Sequence, residues 1–200
     1  MPKKVNHDER RAELAQAVWS VVTRDGVEKA SIRAVAAEAG WTRGVITRYF
    51  ATHDELLLFA YKLALQRGST MVPTEEDVPD PVDRLVAILM RTLPIDPDSK
   101  SVFRIWLSFI GRVVTRPELA DSVRGEHRRY YARVEGLIVE AREKGLLDPP
   151  VPPREAMELT WMFADGLAVA AAFEPERHTP DYVEQRIRGF LGTWRPGTPA

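Results

Sequence analysis

The chain has 200 residues, with 28 Lys and Arg against 29 Asp and Glu, and no cysteine. That length can bury a sizeable core without staples, and the missing thiols exclude disulfides, thiol catalysis and cysteine-type zinc sites. No stretch approaches the ~20 uncharged apolar residues of a membrane span, and the opening MPKKVNHDERR is positively charged with no apolar run behind it, unlike a signal peptide; a cytoplasmic protein is expected.

The formal net charge of -1 is unevenly spread. Residues 1–53 hold nine Lys/Arg and six Asp/Glu, whereas the remainder holds nineteen and twenty-three. A basic first quarter on an acidic body is the pattern of a nucleic-acid-binding head carried by a non-binding body.

Helical periodicity dominates, with no convincing strand pattern. Leu14, Ala15, Val18, Val21 and Val22 recur at spacings of three and four within 8–24, and Gly26 follows as a C-cap. Ser31 precedes a short helix, Ile32 to Ala39, ended by Gly40. Thr42 can cap a further helix running to about Phe50. Thr52 caps the next, with Asp54 and Glu55 favourably placed in its first turn. An acidic, proline-containing loop is expected over 73–81. Beyond it lie helical segments near 82–93, 99–114, 117–145, 154–173 and 180–194, separated by prolines and Gly145.

The most informative string is SIRAVAAEAGWTRGVITRYF, residues 31–50. Two short helices separated by Gly40 make a helix-turn-helix, although a generic helical hairpin has the same pattern. Val35, Ala39 and Ile46 are expected to face the head's core, and Ala36 and Ala37 to let the helices approach closely. In such a motif the second helix enters the major groove. Arg43, Gly44, Thr47 and Arg48 lie opposite Ile46 and Phe50. Arg43 is the expected base reader, since a guanidinium can bond guanine O6 and N7 together; a phosphate contact is the alternative. Gly44 allows close approach, Val45 touches a thymine methyl or packs inward, and Arg48 serves bases or phosphates.

The segment from about residue 8 to 63 resembles the N-terminal domain of the TetR family of regulators. The resemblance rests on DERRAELAQAVWSVVTRDG, Ser31-Ile32-Arg33, AxxAG at 36–40, Thr42-Arg43-Gly44, Tyr49-Phe50 and His53-Asp54-Glu55-Leu56-Leu57. AMELTWMFADGLAVAAAF at 156–173 resembles the C-terminal domain of the choline-sensing, BetI-type branch. Three positions depart from the family pattern: Trp41 stands where a small aliphatic is usual, Thr47 where Tyr is common, and His53 where Lys is common.

The resemblance implies an all-α chain with a three-helix DNA-binding domain at 1–53, a ligand-binding and dimerisation domain at 54–195, and a tail at 196–200. It implies a homodimer that binds an inverted-repeat operator on double-stranded DNA, and repression relieved by a small molecule. It assigns phosphate contacts to Ser31, Thr42, Tyr49 and His53, with Arg33 reaching phosphate or base; Ser31 and Thr42 can equally be caps. Lys3, Lys4, Arg10 and Arg11 offer a basic arm. Segments 154–173 and 180–194 are expected at the dimer interface, in part as internal core.

Phe103, Trp106, Phe109, Ile110, Tyr130, Tyr131, Trp161, Met162 and Asp165 are candidates to line a ligand pocket, with core packing the alternative at each. Asp165 sits among apolar neighbours, which is costly for a carboxylate without a partner. An arginine across the interface would satisfy it, as would a cationic ligand; aromatic rings with a carboxylate suit a quaternary ammonium. No cofactor or metal is expected. The four histidines form no HExxH, and neither GxSxG nor a phosphate-binding glycine loop is present, so no catalytic site is expected. A helical small-molecule-binding dimer without sequence-specific DNA binding is the competing reading.

Overall fold

The computed structural model describes residues 7–27, 29–70 and 73–197. Lys3 and Lys4 of the expected basic arm, and 198–200 of the expected tail, lie outside the described residues. Within them the chain is helical and has no strand. The helices are α1 (His7–Asp25), α2 (Ile32–Ala39), α3 (Arg43–Ile46), α4 (His53–Thr70), α5 (Pro81–Met90), α6 (Pro97–Thr115), α7 (Glu118–Asp121), α8 (Arg124–Glu143), α9 (Pro153–Phe173) and α10 (Pro180–Gly192).

They form two compact units. The first takes Met1–Ala64 and Arg104–Val123; the second takes Leu65–Phe103 and Arg124–Ala200. The first unit therefore extends past residue 53, taking α4 as far as Ala64 and α6 from Arg104 onward.

In the first unit, α1 buries Leu14, Val18, Val21 and Val22, the stripe its spacing requires. It ends at Gly26, whose φ is 86° and whose N–H donates to the Val22 carbonyl at 3.0 Å. The Ser31 hydroxyl accepts from the Ala34 N–H at 3.2 Å and opens α2. Gly40 closes it at φ 65°, a left-handed conformation that only glycine adopts at little cost. Val35 and Ile46 are fully buried. Ala36, rather than the expected Ala39, is the second buried residue of α2, and Ala37 faces outward. The buried face of α2 is thus rotated from the one its spacing predicts; in a helix of two turns, small alanines on several sides leave that face weakly specified.

α3 stops at Ile46 and does not reach Phe50. Val45, Ile46 and Thr47 are β-branched in succession, and the Thr47 hydroxyl donates to the Gly44 carbonyl at 3.1 Å. Crowded χ1 angles and a competing side-chain bond both weaken a helix. The chain continues in tight turns, with Arg48 N–H to Val45 O at 3.2 Å and Tyr49 N–H to Ile46 O at 2.9 Å. α4 is firmly capped: the Thr52 hydroxyl accepts from Glu55 N–H at 3.2 Å, and the Glu55 carboxylate accepts from Ala51 N–H at 2.6 Å.

In the second unit, Asp80 caps α5 through Val82 N–H at 2.7 Å, with Pro81 at the first helical position. The expected single helix over 117–145 is two helices, α7 and α8. Asp121, Ser122 and Gly125 are weak helix formers at that break, and Ser122 and Val123 donate three residues back instead of four. α8, α9 and α10 bury Val134, Ile138, Ala141, Trp161, Ala164, Ala168, Val183, Ile187 and Leu191. Arg84 pairs with Glu140 at 2.5 Å, and Arg188 with Asp83 at 2.7 Å. α9 is long and apolar enough to cross a membrane by length and composition. It nonetheless carries Glu155, Glu158 and Asp165, and its buried face is part of this core.

Candidate nucleic-acid interface and sensing cluster

Ile46 is inaccessible and Phe50 is 3% exposed, so these two side chains pin α3 and its following turn to the first unit. Arg43, Gly44, Thr47 and Arg48 consequently face outward, and Val45 is half-buried. Nothing lies within 4 Å of where a Gly44 Cβ would stand, so the protein's own packing does not require that glycine. Arg33, Arg43 and Arg48 are exposed and make no ion pair among the described residues. The one acid of α2, Glu38, is already engaged by the Ser20 hydroxyl at 2.6 Å and the Arg24 guanidinium at 2.7 Å, which together hold its carboxyl below the usual range. The outer face is thus left basic.

Ser31 is exposed and serves as a cap, as one of its two expected roles requires. Thr42 occupies the N-cap position of α3 but makes no side-chain cap bond. Tyr49 is 36% exposed, with its ring centroid 6.0 Å from that of Trp41. The Arg10 guanidinium lies 5.8 Å from the same indole. His53 is exposed at the start of α4.

Sequence reasoning missed the role of the next residue. Asp54 is 8% exposed and receives Arg112 Nε at 2.7 Å and Arg116 Nη1 at 2.5 Å. Arg116 also donates to Glu118 at 3.0 Å. Desolvation pushes the Asp54 pKa up, but the two guanidinium bonds outweigh it and hold the carboxyl below its ordinary value. The pattern available in sequence was two arginines four apart at the end of an apolar helix, which is also what a solvated face looks like. Farther along the same two helices, Tyr61 of α4 stacks on Phe109 of α6 with centroids 4.1 Å apart and planes 9° from parallel.

Within the second unit, Tyr130 and Tyr131 of α8 lie 5.2 and 5.4 Å from the Trp161 ring of α9. His127 meets Tyr131 edge-on at 5.4 Å. Trp161 is 7% exposed and its indole N–H has no hydrogen-bond partner among the described residues. Burial pushes the Tyr130 phenol up to about 12, so it stays protonated. Asp165 lies one turn beyond Trp161 at the open edge of α9. Its surroundings desolvate the carboxyl and raise its pKa, and no cation of the described residues offsets this.

The other pocket candidates differ in burial and in the unit that holds them. Met162 is 67% exposed, away from this cluster. Phe103 is buried and belongs to the second unit; Trp106 and Phe109 belong to the first, where Phe109 is the partner of Tyr61. Ile110 is 37% exposed. On α9, Leu159, Met162, Val169 and Phe173 form an outward apolar stripe, with Phe173 84% exposed. On α10, by contrast, Val183, Ile187 and Leu191, with Trp194 just beyond its end, are buried within the chain's own core, and Tyr182 and Phe190 are half-buried.

Residues 16–59 match the family of bacterial regulatory proteins of the tetR type, and residues 81–194 match the C-terminal domain of BetI-type transcriptional repressors. The chain is 30% identical over 189 residues to the HTH-type transcriptional regulator PksA of Bacillus subtilis, covering 94% of this chain and 90% of that one. It is 28% identical to the regulator BetI 1 of Chromohalobacter salexigens, covering 94% and 95%. A crystal structure of a transcriptional regulator from Rhodococcus sp. Rha1 superposes with a TM-score of 0.73 at 26% identity, over 92% of this chain and 94% of that one. A regulator from Saccharomonospora viridis, solved in complex with choline, shares the fold with a TM-score of 0.73 at 20% identity, over 93% and 97%.

Proposed function

Because the chain belongs to the TetR family of transcriptional regulators, we propose that it is a repressor that binds an inverted-repeat operator as a homodimer and is released by a small-molecule ligand. The observation that carries the reading is the outward face of α3. Two buried apolar anchors, Ile46 and Phe50, fix its orientation, and Arg33, Arg43 and Arg48 stand on the surface without partners among the described residues. Cations left uncommitted in this way are available to phosphates and guanine edges. One head buries too little surface for tight specific binding, so the reader is a dimer spanning two half-sites.

The dimer contact is assigned to the stripe Leu159, Met162, Val169 and Phe173 of α9. α10 contributes chiefly its small and polar exposed residues, such as Gly189 and Thr193, since its larger apolar side chains are already in the core.

The effector is an organic cation held by Asp165 and the rings of Tyr130, Tyr131 and Trp161. A desolvated carboxylate beside aromatic faces suits a quaternary ammonium, and the choline bound by the S. viridis regulator is in keeping with that chemistry. The unpartnered indole N–H of Trp161 asks that the ligand also carry an oxygen acceptor. By linkage, a ligand that prefers a conformation with misplaced heads weakens DNA binding by the factor that DNA weakens the ligand. Asp54, Arg112 and Arg116 tie α4 to α6 and are the residues through which that preference reaches the head. A cytoplasmic site of action follows from a chromosomal target.

The test is selection of bound sites from random duplex DNA, followed by salt titration of the winner. An enriched inverted repeat with a steep salt dependence is the expected outcome. A well-folded dimer that enriches nothing at low salt would overturn the repressor and leave a ligand-binding dimer.

A further inference from the structure

Trp41 follows the left-handed Gly40, and its N–H donates to the Ala36 carbonyl at 2.9 Å, so its backbone is fixed by the turn itself. The side chain is half-buried. A small aliphatic residue would close the same turn, and the indole's extra surface is spent on two outward contacts. Its ring lies 6.0 Å from Tyr49, beyond the end of α3, at an interplanar angle of 35°. It also lies 5.8 Å from the Arg10 guanidinium of α1, within cation–π range. Among the described residues no carboxylate engages Arg10, which is itself exposed. All three residues belong to the first unit, and both neighbours of the indole end in hydrogen-bond donors.

We propose that Trp41 is a positioning residue for DNA binding: its indole holds the Arg10 guanidinium and the Tyr49 phenol together as a two-pronged clamp on backbone phosphates. The inference rests on the DNA-binding reading; it adds Trp41 to the interface and gives Arg10, read from sequence only as part of a basic arm, a fixed place beside Tyr49. An exposed arginine samples many rotamers, and ordering it at the moment of binding costs affinity. Contact with the ring narrows those rotamers beforehand while leaving the charge and its N–H donors intact. Phosphate contacts are independent of sequence, so the clamp acts on operator and non-operator duplex alike.

The experiment measures binding of the full chain to the duplex it enriches from random DNA, and to an unrelated duplex of about 30 base pairs, across a salt series. Trp41→Val inserts the smaller side chain that the turn tolerates. It is expected to weaken binding to both duplexes by about tenfold, with Trp41→Phe restoring it to within about threefold. Arg10→Ala is expected to cost about fivefold and to reduce the salt slope by about two in the wild-type background, one contact being lost from each protomer of the dimer. In the Trp41→Val background the same change should cost less than about twofold, because the two residues act as a unit. Thermal unfolding of each variant separates a folding defect from lost positioning; if Trp41→Val unfolds, Trp41→Phe and the Arg10 salt slope decide alone. Wild-type affinity in Trp41→Val, or Arg10 and Trp41 effects that simply multiply, overturns the clamp while the DNA reading stands. Failure of the wild-type chain to bind either duplex overturns both.

Discussion

Gly40 carries its constraint in the backbone alone. With φ at 65° and nothing within 4 Å of the point a Cβ would occupy, Gly40→Ala meets no steric neighbour and suffers only the left-handed strain. A loss of about 1 kcal/mol in urea unfolding is expected, with an unchanged m-value. Arg43 is the opposite case, exposed and unpaired among the described residues. Arg43→Ala should leave the thermal midpoint in place and weaken operator binding by about ten- to hundredfold, relaxing discrimination at one base pair. Asp165 supplies a pH test. Although Asp165 is exposed at the edge of α9, partial desolvation by its surroundings raises its pKa, so the ionised form that attracts a cation is gained only as pH rises through a value above the ordinary ~3.9. Affinity for choline, used as the probe cation, should therefore climb with pH across that range, and Asp165→Asn should flatten the profile. A pH-independent affinity in the wild type would remove Asp165 from the site. Ile46 and Phe50 were readable from helical spacing, because burial of an apolar stripe is a local rule. The Trp41 contacts were not, since they join a helix residue, Arg10, to two residues of separate turns through ring orientation, which no periodicity encodes.

At the scale of elements, Asp54 with Arg112 and Arg116 joins the first turn of α4 to the C-terminal end of α6. Asp54→Asn removes the charge that both guanidiniums address and should lower the thermal midpoint by about 3–6 °C at neutral pH. The sign with pH follows from a depressed folded-state pKa: the stabilisation is present above the unfolded value of about 3.9 and is lost as pH falls through the lower folded value. The difference between wild type and Asp54→Asn should accordingly vanish in acid. Equal midpoints at neutral pH would show that the bonds add nothing to stability. Caps and breakers located most helices from sequence, because Ser31, Thr52 and the prolines act within a few residues of where they stand. The short α3 and the break between α7 and α8 escaped that reading. Both depend on several weak preferences adding up, β-branching and a back-bonded Thr47 in one case, Ser122 and Gly125 in the other.

For the whole molecule, the exposed apolar stripe of α9 is the feature with the largest consequence. Phe173 at 84% exposure and Met162 at 67% are unusual for side chains of that size. Phe173→Asp together with Met162→Glu should yield a folded monomer in sedimentation, with operator affinity reduced by about a hundredfold or more as the two heads lose their linkage. A dimer that survives both changes would relocate the interface. The apolar content of α9 and α10 was plain in the sequence, but its division between inner core and outer stripe was not. That division depends on which turn of each helix meets its neighbours, and Val183, Ile187, Leu191 and Trp194 proved to be inward.

The first unit draws on Met1–Ala64 and Arg104–Val123, two stretches far apart in the chain. The transplantable reading head is therefore discontinuous in sequence. A chimera spliced after residue 64 would carry Asp54 and Tyr61 away from Arg112, Arg116 and Phe109, and present them to a foreign helix. Recombination that exchanges operator preference between relatives has to exchange the end of α6 as well, or else accept a head whose supporting helix was shaped for another.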